Sequence, residues 1–259
     1  MRVCLLASGS KGNCIFVSSE KTSLLIDAGL SGKSATTRMA AAGISSRRLA
    51  GILVSHEHTD HTRGLGVLSR MYNLPVYVNA GTRDALPSRL GKFCGTEIFT
   101  TGQAMTIGDL TVHPFSQSHD AVDPVGFVFE HDGVKVGLAT DLGVATRLVT
   151  QRLQGCAVLI LESNHDPKML DQGPYPWDLK QRVKGRQGQL SNHDMGELLT
   201  NVHHPGLQHL ILAHLSEINN TPQLARTTAM EYISALPSSP QLHVAAQDQP
   251  TPVISAQAA

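Results

Sequence analysis

The run Ser55-His56-Glu57-His58-Thr59-Asp60-His61 places three imidazoles and the Asp60 carboxylate within six consecutive positions. Nitrogen and oxygen donors so closely spaced suit two neighbouring metal ions, because His and carboxylate groups are common ligands of catalytic metals. Residues 51–54, Gly-Ile-Leu-Val, read as a short buried strand. The cluster therefore follows the end of a strand, where open α/β sheets place their active sites. Three more candidates follow segments that read as strands: His119 in Ser118-His119-Asp120, Asp141 in Thr140-Asp141-Leu142-Gly143, and His214 in Ala213-His214-Leu215-Ser216. Taken singly, a residue so placed is more often a hydrogen-bonded loop residue than a ligand. Together with the first cluster they supply about the number of ligands that a two-metal hydrolytic site needs.

The elements that must position these groups come in two batches. Residues 3–6, 14–17 and 24–26 read as strands joined by tight connections. A helix is expected over 31–42, capped by Ser31 and stopped by Gly43. After the His-rich motif, 64–72 reads as a helix and 75–78 as a strand. The second batch has strands at 110–115, 125–130 and 134–139, the last two joined by a His131-Asp132-Gly133 turn suited to a hairpin. A helix over 146–153 and a strand over 157–161 follow. Residues 164–189 form a polar, Pro- and Gly-bearing interruption. Beyond it lie a helix near 193–202, a strand at 210–213, a helix near 222–233 and a strand around 242–246. Two batches of strands, each with helices, predict two sheets sandwiched between helical layers in one domain over 1–248. The tail, 249–259, is expected to be flexible.

At 259 residues, with 41% hydrophobic and 16% charged, the composition is that of an ordinary globular protein. Lys+Arg and Asp+Glu balance at 21 each, so any cationic surface has to be local. Cys4, Cys14, Cys94 and Cys156 form no Cys-x-x-Cys pair and read as small buried hydrophobes in a reducing compartment. The apolar run at 3–7 is too short for a signal peptide, and nothing approaches membrane-spanning length. A cytoplasmic protein is expected.

The pattern His-x-His-x-Asp-His, followed by His, Asp and His at strand ends, resembles the metallo-β-lactamase fold. More closely still, the chain resembles the YycJ (WalJ) family of bacterial nuclease-like proteins. The resemblance is carried by 8–14 (Ser-Gly-Ser-Lys-Gly-Asn-Cys), 25–31 (Leu-Ile-Asp-Ala-Gly-Leu-Ser), 55–61, 118–121, 123–127, 140–143, 161–166 and 212–216, and it runs from Met1 to about Asp248. It implies a four-layer αββα sandwich of the α/β class and a dinuclear metal centre. It also implies phosphodiester hydrolysis, with 5′→3′ exonuclease action on DNA. By this match His56, His58 and His119 hold one metal, Asp60, His61 and His214 the other, and Asp141 bridges. So many imidazoles favour Zn²⁺, with Mn²⁺ or Fe²⁺ as alternatives, over Mg²⁺ or Ca²⁺. The nucleophile expected is a hydroxide shared by two cations, with Asp60 orienting it.

Further residues carry two readings each. Asp27 either supports a ligand histidine or is a turn carboxylate. His165, in Glu162-Ser163-Asn164-His165-Asp166, either protonates the leaving oxygen or contacts phosphate, or else is a plain loop histidine. The family pattern has Gly-His-Leu-Ser-Asn where this chain has Gly188-Gln189-Leu190-Ser191-Asn192. Gln189 can hydrogen-bond a phosphate but cannot shuttle a proton, and Ser191 stands beside it. Lys180, Arg182, Lys184 and Arg186 form the strongest local basic run, which is either a solvated face or a contact for a phosphate backbone. Aromatic residues are only 4%, so duplex DNA, read through its backbone at an end, suits the chain better than base stacking. Two other functions share the same features: a thioester or lactone hydrolase, and a metal-stabilised DNA-binding module without catalysis. The sequence leaves protein partners and oligomeric state open.

Overall fold

Two mixed sheets of seven strands each form the centre of the computed structural model, which describes residues 1–258. The first contains β1 (Arg2–Ala7), β2 (Cys14–Ser18), β3 (Ser23–Ile26), β4 (Leu49–Leu53), β5 (Val76–Asn79) and β6 (Thr96–Phe99). The second contains β7 (Met105–Ile107), β8 (Leu110–Ser116), β9 (Val125–His131), β10 (Val134–Ala139), β11 (Val158–Glu162), β12 (His209–Ala213) and β13 (Gln241–Val244). A last strand, β14 (Ile254–Ser255), returns to the first sheet. The orders are β14-β1-β2-β3-β4-β5-β6 and β13-β12-β11-β10-β9-β8-β7.

Period-2 alternation explains why these strands read as continuous apolar runs. Val3 and Leu5 of β1 point inward, joining Val17, Ile26 and Leu53 against Val112, Phe127, Val136 and Ile160 of the other sheet. Cys4 and Leu6 point outward, with Phe16, Leu25 and Ile52, onto Ala35, Met39, Leu65 and Leu68. Those four belong to α1 (Gly32–Ala41) and α3 (Leu65–Tyr72), which flank the one-turn α2 (Thr59–Thr62) and precede the short α4 (Ala80–Ala85). On the far side, Leu159, Leu161, Leu210 and Leu212 pack on Val149, Leu153, Met195, Leu199 and Ala229. These come from α5 (Arg147–Leu153), α8 (Asn192–Val202) and α9 (Pro222–Ser234); α6 (Pro167–Gln172) and α7 (Trp177–Lys184) lie between β11 and α8 in sequence. The result is the expected four-layer αββα sandwich.

Direction within the sheets gathers the chemistry at one rim. Strands β3 and β4 are parallel, as are β10, β11 and β12, and β8 runs the same way as β10 through the antiparallel β9. Asp27, the His-rich motif, His119, Asp141, Glu162 and His214 therefore all lie at or just beyond carboxyl ends of strands that share an edge.

Two expectations change. The interruption at 164–189 contains α6 and α7. Pro167 occupies the first turn of α6, where its missing N–H is harmless, and Asp166 accepts from Met169 N at 2.8 Å as its cap. The tail expected to be flexible is docked as far as it is described. Thr251 N donates to Leu5 O, β14 pairs with β1, Ala256 N donates to Met1 O, and Ile254 and Ala256 are buried. Without this segment β1 would be an open edge. Ala259 lies outside the described residues.

Candidate metal centre

The backbone at the rim is shaped before any side chain acts. Asp27, Asp141 and His214 each turn out of their strands with left-handed φ of 60°, 59° and 55°. Such conformations are uncommon for residues other than glycine and cluster at functional sites. Asn13 N donates to Asp60 O at 2.7 Å, and a Cβ on Gly29 would collide with that same carbonyl. Only glycine lets the loop after β3 approach the one-turn helix that carries Asp60 and His61.

The ring nitrogens then converge. His56 Nε2 lies 3.1 Å from His58 Nδ1, and His119 Nε2 lies 3.3 Å from the same atom. Imidazole nitrogens about 2.0–2.1 Å from a tetrahedral ion stand about 3.3 Å apart, so this spacing fits a shared cation. A second group joins Asp60, His61 and His214, with His61 Nε2 3.4 Å and His214 Nε2 3.8 Å from Asp60 Oδ2. Asp141 reaches both, with Oδ1 3.8 Å from His119 Nε2 and Oδ2 3.3 Å from His61 Nε2. Among the described residues, Asp141 Oδ2 and His214 Nε2 are buried without a hydrogen-bond partner. Buried polar atoms are rarely left so unless something else binds them. Orphaned ligand atoms in an imidazole-rich cluster fit divalent metal.

The other ring nitrogens are held from behind. His61 Nδ1 sits 2.7 Å from Asp27 Oδ2, while Ser55 N and Oγ donate to the same carboxylate at 2.8–3.0 Å. His56 Nδ1 meets Ser55 Oγ at 2.9 Å, and His119 Nδ1 faces Gly188 O at 3.3 Å. His214 Nδ1 lies 2.8 Å from Glu162 Oε1 and 2.9 Å from Gln189 Oε1. Glu162 Oε2 in turn accepts from Leu142 N and Leu190 N. Such partners fix tautomer and orientation for metal binding.

Electrostatics follow from burial and these acids. Burial opposes charge on His61, but Asp141, Asp27 and Asp60 outweigh it and hold the imidazole well above its ordinary value. His214 rises to about 10: burial opposes it, and Asp141, Asp60 and Glu162 prevail. His56 is pushed well below the usual range by burial and by neighbouring His61. Burial raises the carboxyl of Glu162. Protons and metal compete for the same nitrogens, so acid weakens metal binding here.

The residues expected from sequence divide clearly. His56, His58, Asp60, His61, His119, Asp141 and His214 are brought together, and Asp27 stands behind His61. Glu57, inside the motif, faces away and accepts from Val122 N at 2.9 Å. His165 is not part of the cavity wall: its ring is buried, Nδ1 has no partner among the described residues, and burial pulls its pKa down to about 4. It is neutral at pH 7 and a poor proton donor. Ser191 is not a substrate contact either, since its hydroxyl caps α8 and donates to Asp194 Oδ2 at 2.6 Å. The basic run is largely internally compensated. Lys180 donates to Asp171 O, Lys184 pairs with the Asp171 carboxylate, and Arg182 pairs with Asp120. Gln189 lines the cavity but spends its oxygen on His214.

Sequence reasoning missed Glu162, Ser55 and Asn13, whose Nδ2 reaches His61 Nε2 at 2.9 Å and Asp60 Oδ2 at 3.2 Å. A carboxylate closing an apolar strand was a signal for Glu162, and the run 8–14 was one for Asn13, although neither stated a role. The cluster opens into a cavity of about 230 Å³ whose wall includes Asp120, Tyr175 and Arg182. No helix among the described residues is long and apolar enough to cross a membrane.

Residues 22–214 match the family model described as the beta-lactamase superfamily domain. The chain is 39% identical over 231 residues to the exodeoxyribonuclease YycJ of Bacillus anthracis, covering 88% of each chain. It is 37% identical to the exodeoxyribonuclease WalJ of Streptococcus pneumoniae, covering 89% of this chain and 87% of the relative. Among solved structures, the metallo-beta-lactamase fold protein YhfI from Bacillus subtilis superposes with a TM-score of 0.73 at 17% identity, covering 96% of this chain and 98% of that one.

Proposed function

Since the chain belongs to the beta-lactamase superfamily, on the metallo-beta-lactamase fold and within its metal-dependent hydrolases, we propose that it is a dinuclear metal-dependent DNA exonuclease acting 5′→3′ at duplex ends in the cytoplasm. The observation that carries the reading is the pair of ligand groups joined through Asp141 and opening beside Arg182. The names of the YycJ and WalJ relatives supply the substrate class.

His56, His58 and His119 would hold one ion and Asp60, His61 and His214 the other, with Asp141 between them; Zn²⁺ suits the imidazoles best, with Mn²⁺ or Fe²⁺ as alternatives. Such ions, when bound, lower the pKa of water and withdraw charge from phosphoryl oxygens. The chain's own groups do the rest. Asp60 lines the cavity and would accept a hydrogen bond from the attacking water. Asp27 and Glu162 lock His61 and His214 so that their Nε2 atoms stay directed inward. Arg182, on the wall and paired with Asp120, offers its remaining guanidinium N–H donors to the phosphodiester. His165 contributes no proton to the leaving group.

The test is digestion of end-labelled duplex DNA, single-stranded DNA and RNA by protein reconstituted with Zn²⁺ or Mn²⁺. Mononucleotides released progressively from 5′ ends of duplex DNA are expected. Turnover of thioesters or lactones with intact DNA would replace the reading by the other hydrolase. Retarded but uncut DNA would replace it by a binding module.

A further inference from the structure

Beside the metal cavity lies a second cleft, of about 550 Å³, lined by Ser118, Asp120, Arg182, Gly185, Arg186 and Gln187. The two cavities share the Asp120–Arg182 pair as a partition. We propose that this outer cleft is a second phosphate subsite, which takes the phosphodiester next to the scissile one on the same strand, with Arg186 as its recognition residue. The inference rests on the phosphodiesterase reading and specifies what that enzyme must grip.

Charge points to Arg186. Of the four cations in the run, Lys184 is neutralised by Asp171 and Arg182 by Asp120, whose Oδ2 accepts from Arg182 Nε at 2.6 Å. Lys180 is turned onto a carbonyl. Arg186 is exposed and has no ionic or hydrogen-bond partner for its guanidinium among the described residues. An unpaired guanidinium beside a compensated pair gives the cleft net positive charge, and its forked donors match phosphate oxygens.

Backbone contacts tie this cation to the candidate ligands. Ser118 Oγ donates to Arg186 O at 2.6 Å, one residue before His119. Gly143, two residues after Asp141, donates its N–H to Ser118 O, and a Cβ there would collide with Arg186 O. His119 Nδ1 faces Gly188 O. The loop bearing Arg186 is thus pinned to the loops bearing His119 and Asp141. A phosphate gripped by Arg186 would set the register of its neighbour over the metal cluster. A thioester or lactone has no second phosphate, and the cleft would give it nothing.

The test is a double-perturbation cycle on kcat/KM with the metal-loaded enzyme. One perturbation is Arg186→Gln. The other is a single neutral methylphosphonate placed, in separate substrates, at each linkage flanking the scissile one. Arg186→Gln should raise KM for the native strand about five- to tenfold, with a smaller change in kcat. At one flanking position the methylphosphonate should weaken the parent enzyme similarly, and the two changes together should be no worse than either alone. Multiplicative losses at both positions, or an unchanged KM in Arg186→Gln, would overturn the subsite while leaving the nuclease reading intact. A parent enzyme that cleaves no DNA would overturn both. Circular dichroism of the variant checks that the exposed substitution leaves the fold unaltered.

Discussion

His165 offers a quantitative check on the electrostatics of this rim. The residue is 3% exposed and its Nδ1 is unpartnered, so protonating it in the folded state is unfavourable and its pKa falls to about 4. In the unfolded chain a histidine titrates near 6.5. As pH falls through 6.5 the unfolded state takes up a proton that the folded state refuses, so stability declines. The decline continues until the folded form protonates near pH 4, and below that it adds nothing further. A separation of about 2.5 units corresponds to about 3 kcal/mol in full, of which about 2 kcal/mol is expressed between pH 7 and pH 5. Urea unfolding of parent and His165→Gln proteins, both with chelator, isolates this contribution because the ligand histidines are common to both. The parent should lose about 2 kcal/mol more than the variant over that interval. Equal losses would show that the ring titrates normally, and would restore His165 as a candidate proton donor.

Three other outcomes follow from the same contacts. Asp141→Asn, which keeps a residue tolerant of φ near 59°, should bind at least one ion fewer per chain by metal analysis; full occupancy would remove the bridging role. Asp27→Asn should weaken metal affinity about 10- to 100-fold by loosening His61, as measured by competition with a chromogenic chelator; an unchanged affinity would make Asp27 a turn residue only. Deleting residues 249–259 should lower the melting temperature by several degrees, since it removes the buried Ile254 and Ala256, uncovers the core they pack against and opens the β1 edge. A melting temperature equal to that of the full chain would mean the segment is not docked in solution.

What the sequence made legible was whatever depended on local pattern. The seven ligand candidates lie in short motifs after apolar runs, and their types alone state their chemistry. The hairpin at Asp132-Gly133 and the cap at Ser31 were equally local. What stayed hidden depended on distant partners. The four cations looked like one surface because Asp171 and Asp120 are 9 to 62 residues away in the chain. Ser191 looks available in the sequence because Asp194, the other half of its capping box, resembles any surface acid. Edge strand β6, exposed at three of four positions, has no alternation to find. Strand β14 is two residues long and gains meaning only from β1, more than 250 positions earlier.

The division of the candidate ligands between the two halves of the fold has a physical consequence. His56, His58, Asp60 and His61 follow β4 of the first sheet, whereas His119, Asp141 and His214 follow β8, β10 and β12 of the second. Each proposed ion draws ligands from both, so neither group is complete until the sheets have packed on the core between them. A site of that kind does not exist in the unfolded chain, and whatever free energy the metals contribute on binding is stability for the packed sandwich. The strained turns at Asp27, Asp141 and His214 are therefore held by the same core that orders the strands before them. Chemistry at the rim and packing at the centre depend on one arrangement.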